Sequence, residues 1–407
     1  MSTVEEALAG LEETTAWQEE LYKHLHAYPE LSFEEVQTRA EIRRRLEAFG
    51  FDVQEVGGGV VGVLANGEGG TVLFRADIDA LPVTEATGLD YASTVTSTDA
   101  GGTTVGVMHA CGHDSHIAAA LGAAELLGTN RRTWSGTYIA VFQPAEELGK
   151  GAQAMVDDGL VEKVPKPDVC LAQHVLTVPE AGHVGTASGP VLSAGDSLRI
   201  TVHGQGSHGS MPHLGVDPVV VAASIVMRLQ SIVARVIAPD DFGVVTVGSI
   251  QAGAKANIIP GEAVLLVNVR SYDTAVREKI IGAIERIVRG ECEAGGCPRE
   301  PEFDHYESFP LTDNDPAVTD RVTRAFVDHF GQDRVHPLAR VPASEDFSII
   351  PDAFGVPYTF WGFGGFLPGM PVVPNHNPRF APAVQPTLQT ATEAVVAAAL
   401  AYLARKE

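Results

Sequence analysis

The 407-residue chain has only four cysteines: Cys111, Cys170, Cys292 and Cys297. They are too few and too scattered for a disulfide framework in a chain this long. Cations are scarce as well. The 28 Lys and Arg stand against 52 Asp and Glu, a formal net charge of −24. Such a surface repels phosphate backbones and anionic membranes, which argues against nucleic-acid and membrane partners. No apolar run is expected to reach the length that spans a bilayer. The acidic, amphipathic start MSTVEEALAGLEE lacks both the basic and the apolar region of a signal peptide. The expectation is a soluble, cytoplasmic protein, long enough for two cores.

Residues 4–49 read as two helices, with Ser32 and Glu35 in capping-box spacing and Gly50 as a stop. VVGVLA (60–65), TVLFRADI (71–78), TYIAVFQ (137–143) and DVCLAQHV (168–175) read as strands. Between them lie an Ala- and Leu-rich helix after His113 and a helix around 150–158. This alternation predicts a mostly parallel α/β sheet. The texture changes near Ser188. From there to about 307 the order is β-α-β-β-α-β, which predicts a ferredoxin-like α+β insert. The α/β texture then returns and ends in an Ala-rich helix (387–405). The expected organisation is a discontinuous catalytic domain, 1–187 and 308–407, with a smaller domain, 188–307, inserted into it.

Four polar clusters sit beside strand ends, where ligands of open α/β sheets gather. RADIDALP places Asp77 and Asp79 at the end of a buried strand. Two buried carboxylates are costly unless they are paired, serve a cation or cap the following turn. MHACGHDSH packs Cys111 and His113 together with His109, Asp114 and His116. A thiolate and an imidazole suit a borderline metal such as zinc, and Asp114 is positioned to orient an imidazole. Lone histidines are ordinarily structural; this density is not an ordinary core pattern. FQPAEE supplies Glu146 and Glu147, a pair in which one carboxylate can bind metal while the other takes a proton from the attacking water. QHV and NHNP add His174 and His376, each unremarkable alone. FWGFGGF (360–366) reads either as the lining of an apolar pocket or as a buried strand running into a loop.

MHACGHDSH, RADIDALP, FQPAEE, QHV, SHGSMPH, NIIP and SEDF occur in this order along the whole chain. In this the sequence resembles the metal-dependent aminoacylase and carboxypeptidase family. The resemblance is to the branch of hippurate hydrolases, indole-acetyl-amino-acid hydrolases and bacterial N-acyl-amino-acid amidohydrolases. It implies a metallohydrolase domain with an inserted lid and dimerisation domain, hydrolysing N-acyl-L-amino acids. It further implies metal ligation by Cys111, His113, Glu147, His174 and His376, with Glu146 as general base and Asp79 among the catalytic residues. His208 of SHGSMPH would stabilise the oxyanion in a partner subunit's site, which makes a homodimer the expected assembly. Asn257 of NIIP and Arg270 would hold the substrate carboxylate. Ala343 stands where the family often has Gly before SEDF.

Five protein ligands exceed the three that leave a catalytic zinc one open position. Two divalent metals per subunit account for the surplus, zinc first and manganese or cobalt as alternatives. Three other readings stand beside this one: an exopeptidase with the same chemistry, a non-catalytic metal-binding protein and an amidase with Cys111 as nucleophile. Cys170, Cys292 and Cys297 read as structural.

Overall fold

The computed structural model describes residues 2–98 and 102–405. The chain divides into two compact units. The first comprises Met1–Gly189, Asp313–Ala339 and Asp346–Glu407, the second Pro190–Thr312 and Arg340–Glu345.

The first unit begins with three helices, not the two expected: α1 (Thr3–Ala7), α2 (Leu11–Ala27) and α3 (Val36–Ala48). The break falls at Gly10, whose φ of +97° a helix cannot accommodate. Ser32 does not cap α3; Glu35 occupies that position without a side-chain cap bond. There follow β1 (Asp52–Val56), β2 (Gly59–Asn66), β3 (Thr71–Asp77), α4 (His113–Thr129), β4 (Gly136–Gln143), α5 (Gly151–Asp157), β5 (Val169–Ala181) and β6 (Val184–Thr186). β3 and β4 are buried almost throughout, as strands covered on both faces must be.

The second unit contains β7 (Ala194–His203), β8 (Ser207–His208), α6 (Pro218–Leu229), α7 (Ser231–Arg235), β9 (Gly243–Ala252), β10 (Ile258–Ile259), β11 (Glu262–Ser271), α8 (Thr274–Ala294) and β12 (Glu302–Phe309). Its four long strands pair antiparallel in the order β9-β11-β7-β12, the ferredoxin-like arrangement. Buried Val221, Ile225 and Leu229 of α6 and Ile280, Ile284 and Val288 of α8 form its core with Leu198, Leu265 and Val267 of the sheet. Pro218–Arg235 is a longer apolar stretch than the sequence reading allowed, 18 residues that meet the length and composition of a membrane span. It is broken at Gln230 and gives one face to this core, while Val220 and Met227 stay exposed.

The chain then returns to the first unit with α9 (Pro316–Phe330), β13 (Val335–Pro337), β14 (Tyr358–Gly364) and α10 (Thr387–Leu403). The eight-stranded sheet has the order β1-β2-β4-β3-β5-β14-β6-β13. Its centre, β4-β3-β5-β14, is parallel. The expected mixed α/β fold with a mostly parallel central sheet is therefore present. Alanines let α4 and α10 pack closely, and both are almost wholly buried. FWGFGGF is the buried-strand case: Trp361 lies in the core beside Phe74 and Phe326.

Candidate active site

The first unit gathers the chemistry at the carboxyl ends of β3, β4 and β5. Cys111 and His113 flank Gly112, which begins α4 with φ +83°. A Cβ there would lie 2.5 Å from Val175, so both backbone and space require glycine between the two. His174 lies on β5 between buried Gln173 and Val175, and His376, itself at φ +66°, is fixed by its amide donating to the carbonyl of Ala110 at 2.8 Å.

The five expected ligands converge. Cys111 Sγ lies 3.4 Å from His174 Nε2, His376 Nε2 lies 3.3 Å from Glu147 Oε2, and His113 Nε2 lies 3.9 Å from Glu147 Oε1. Among the described residues, Cys111–Glu147–His376 and His113–Glu146–Glu147 each present donor atoms within 4.8 Å of one another. A third such group is Asp77, His113, His116 and His174. Glu147 and His113 each belong to two of these groups.

Each imidazole's free nitrogen follows from the partner of the other. His113 Nδ1 donates to the carbonyl of Asp79 at 2.9 Å, and its buried Nε2 has no hydrogen-bond partner. His174 Nδ1 donates to the carbonyl of Val175 at 2.7 Å, which leaves Nε2 toward Cys111. His116 differs. Its Nδ1 meets Asp77, and its Nε2 accepts the amide of Val175 at 2.9 Å, so both nitrogens are spent on positioning.

The electrostatics fit a cation. Burial disfavours charge on His113, but Asp77 and the bond to Asp79 pull its imidazole well above the usual range. Cys111 and Glu147 raise His376 to about 10. Burial and His116 hold His174 well below the ordinary value, as a neutral ligand requires. Burial and Glu147 raise the Cys111 thiol, opposed by His113 and His376. The acidic groups that hold protons on His113 and His376 would favour a divalent cation in their place. The orphaned His113 Nε2 and Glu147 Oε1, both buried, are what such an ion would satisfy. The donor set, with thiolate, imidazole and carboxylate, suits it chemically.

Asp79 acts on the glutamate pair through the backbone. Its carboxylate accepts the amides of Glu146 and Glu147, each at 3.1 Å, and the hydroxyl of Ser32 at 2.6 Å. Ser32, expected to cap α3, thus supports the glutamate turn, and Asp79 caps that turn and not the one following itself. Glu146 is buried, its Oε2 4.0 Å from His113 Nε2. Beneath them, buried Arg75 binds Gln143 at 2.8 Å, Asp77 at 2.9 Å and Asp346 at 3.2 Å. Burial opposes ionisation of Asp77, but His113, His116 and Arg75 outweigh it and hold the carboxyl well below its usual range.

Asp114 does not orient a metal ligand. It accepts from His26 Nδ1 at 2.7 Å, and Glu85 meets the other ring nitrogen at 3.1 Å. His26 lies outside every motif, and its only sequence signal is a histidine on the inward face of an amphipathic helix. His109 is buried with both nitrogens unpartnered and belongs to none of the ligand groups, and burial lowers it to about 4.

The remaining expected residues lie in the second unit. His208 is exposed; its Nδ1 accepts the Ser210 amide at 3.2 Å and lies 2.8 Å from the Ser210 hydroxyl. Across the short β8–β10 ladder His208 pairs with Ile258, and just beyond it the amide of Gly209 donates to the Asn257 carbonyl at 2.8 Å. Arg270, on β11, is half-buried. Its Nε donates to Asn268 at 3.1 Å and its Nη1 to Ser344. The carbonyl of Ala343 accepts the Ser193 amide at 2.8 Å.

The sequence profile described as peptidase family M20/M25/M40 matches residues 73–401. Thermostable carboxypeptidase 1 of Saccharolobus solfataricus is 35% identical over 93% of this chain and 94% of its own. N-acyl-L-amino acid amidohydrolase of Geobacillus stearothermophilus is 36% identical over 70% of this chain and 74% of its own. Among solved structures, the YXEP protein of Bacillus subtilis, a dinuclear metal binding peptidase from the M20 family, superposes with a TM-score of 0.78. It is 28% identical and covers 96% of this chain and 98% of its own. Motif order, fold, ligand cluster and these likenesses agree: the chain belongs to peptidase family M20/M25/M40 and is a metal-dependent hydrolase.

Proposed function

We propose that the protein hydrolyses the amide bond of N-acyl-L-amino acids to a carboxylic acid and a free amino acid. The observation that carries this reading is the pair of carboxylates at the cluster: Glu147 joins both the Cys111–His376 group and the His113 group, and Glu146 joins the latter, its Oε2 4.0 Å from His113 Nε2. A site that only stored metal would not need the second carboxylate. Cys111, His113, Glu147, His174 and His376 would hold two divalent cations, zinc by donor preference, with manganese or cobalt as alternatives. When bound, these supply Lewis-acid polarisation of the scissile carbonyl and acidify the attacking water. Glu146 takes the water's proton and passes it to the leaving amine. Asp79 and Ser32 hold the glutamate turn rigid for that transfer. The Cys111 nucleophile reading loses support, because burial raises its thiol and the other expected ligands surround it.

His208 of a second copy would donate Nε2 to the developing oxyanion. A homodimer is supported by the second unit's surface: β9 is an edge strand, and Val220 and Met227 are 64% and 74% exposed on α6. Asn257 and the Nη2 end of Arg270 would hold the substrate carboxylate. The amidohydrolase and carboxypeptidase relatives both favour a product amino acid with a free carboxylate, and the carboxypeptidase keeps the exopeptidase reading alive. The test compares specificity constants for an N-acyl amino acid, its methyl ester and a dipeptide, using zinc-loaded protein. Preference for the free acid over the ester, with slow dipeptide cleavage, supports the proposal. Equal rates on acid and ester overturn carboxylate recognition, and a dipeptide preference selects the exopeptidase.

A further inference from the structure

Helix α8 ends in a Schellman cap in the second unit. The amide of Cys297 donates to the carbonyl of Cys292 at 2.9 Å, and the amide of Gly296 to that of Glu293 at 3.0 Å. Gly296 takes the left-handed conformation the motif requires, φ +70°. In this motif the residue after the left-handed position packs back on the last helical turn, ordinarily through an apolar contact. Here that contact is between two thiols. Cys292 is 3% exposed in the unit's core, Cys297 is half-buried against that core, and both thiols are free. One N–H···O=C bond between the two residues holds their Cα atoms within roughly 6 Å, the separation a disulfide spans.

We propose that Cys292 and Cys297 are a modification site for low-molecular-weight disulfides of the glutathione type, closing to an intramolecular disulfide that staples the end of α8. The sulfur of the half-buried Cys297 attacks one sulfur of the small disulfide, breaks its S–S bond and releases one small thiol, which keeps the proton given up by Cys297. The Cys292 sulfur then attacks the mixed disulfide at Cys297 and expels the second small thiol, which takes the proton from Cys292. Two protein thiols are oxidised and one small disulfide is reduced to two thiols. The second step is the slower. Burial, with Cys297 beside it, pushes the Cys292 thiol up to about 12 and keeps its thiolate scarce. The pair is remote in the chain from the proposed metal ligands, and the proposal does not depend on the substrate reading.

The experiment incubates reduced, zinc-loaded full-length protein with excess glutathione disulfide to equilibrium. The protein is then acid-quenched, alkylated under denaturing conditions and peptide-mapped by mass spectrometry. The four thiols should fall to two, with Cys292 and Cys297 unalkylated and their peptide lighter by two hydrogens. Cys292→Ser should stop at a glutathione adduct on Cys297. Cys297→Ser, which alters only the more exposed partner, should keep Cys292 alkylatable. Full alkylation of both cysteines in the wild-type chain overturns the proposal. So does a stable glutathione adduct on Cys297 in that chain, which would mean that Cys292 does not resolve it.

Discussion

The carbonyl oxygen of Asp79 accepts a hydrogen bond from Nδ1 of His113 at 2.9 Å, while the carboxylate of the same residue receives the amides of Glu146 and Glu147. One residue thereby sets the ring orientation of a proposed ligand and the position of both glutamates. Asp79→Ala leaves those two amides and the Ser32 hydroxyl without their acceptor. The variant should lose roughly 2–4 kcal/mol of stability and about 10–100-fold in zinc affinity. Thermal unfolding and calorimetric zinc titration measure both; wild-type affinity would show that the turn holds itself.

Cys111→Ala should lose metal and activity together. The thiolate is the softest donor in the cluster, and metal binding is what overcomes the burial that raises its thiol. Elemental analysis after dialysis is the check, and full metal content would remove Cys111 from the ligand set.

Glu146→Gln should keep the fold and the metal while turnover falls by about 10²–10⁴-fold. Gln preserves shape and cannot take the proton. A turnover number within a few-fold of wild type would pass the role of base to another group.

Complementation tests His208. Glu146→Gln protein mixed with His208→Ala protein under subunit exchange forms dimers in which one site has both an intact Glu146 and an intact partner His208. Part of the activity should return. No return despite exchange shown by native mass spectrometry would place His208 within its own chain's chemistry or outside catalysis.

A pH effect should arise at the sheet edge. His183 Nδ1 and His336 Nε2 lie 2.7 Å apart, a contact that needs one neutral ring to accept. Burial, His336 and Arg334 lower His183 from its ordinary 6.5, against Glu180. The folded chain thus binds this proton less readily than the unfolded one. The stability concerned is complete above pH 6.5 and is lost as pH falls through the lowered folded value. The melting temperature of His183→Asn should drop less than that of wild type between pH 7.5 and pH 5; equal drops would assign the acid loss to other groups.

Much of this was legible from local signals. The β3 stretch TVLFRAD reads as a buried strand because its side chains are apolar on both faces, and Cys111–Gly112–His113 reads as a ligand pair because the residues are adjacent. What the sequence hid was tertiary. Ser32 and Glu35 have capping-box spacing, yet Phe33 at φ +65° turns the chain so that Ser32 faces Asp79 from 47 positions away. Asp114 sits beside a proposed ligand but spends its charge on His26, 88 positions earlier. Spacing rules report neighbours on one element; they carry no information about which distant element fills the space opposite.

The β5–β14 pairing has a consequence for how the chain reaches this structure. The two strands lie side by side in parallel register, Cys170 opposite Tyr358, yet the second unit lies between them in sequence. Closing that loop from a disordered chain costs entropy that grows with its length. A second unit that folds first shortens the effective loop, because its ends at Pro190 and Thr312 become fixed. The Arg340–Glu345 strap belongs to that unit too, with the Val341 amide bound to the Val191 carbonyl at 3.0 Å. The ferredoxin-like unit is therefore placed to act as a folding clamp: it should gain structure early on refolding, and β14 should close the central sheet late.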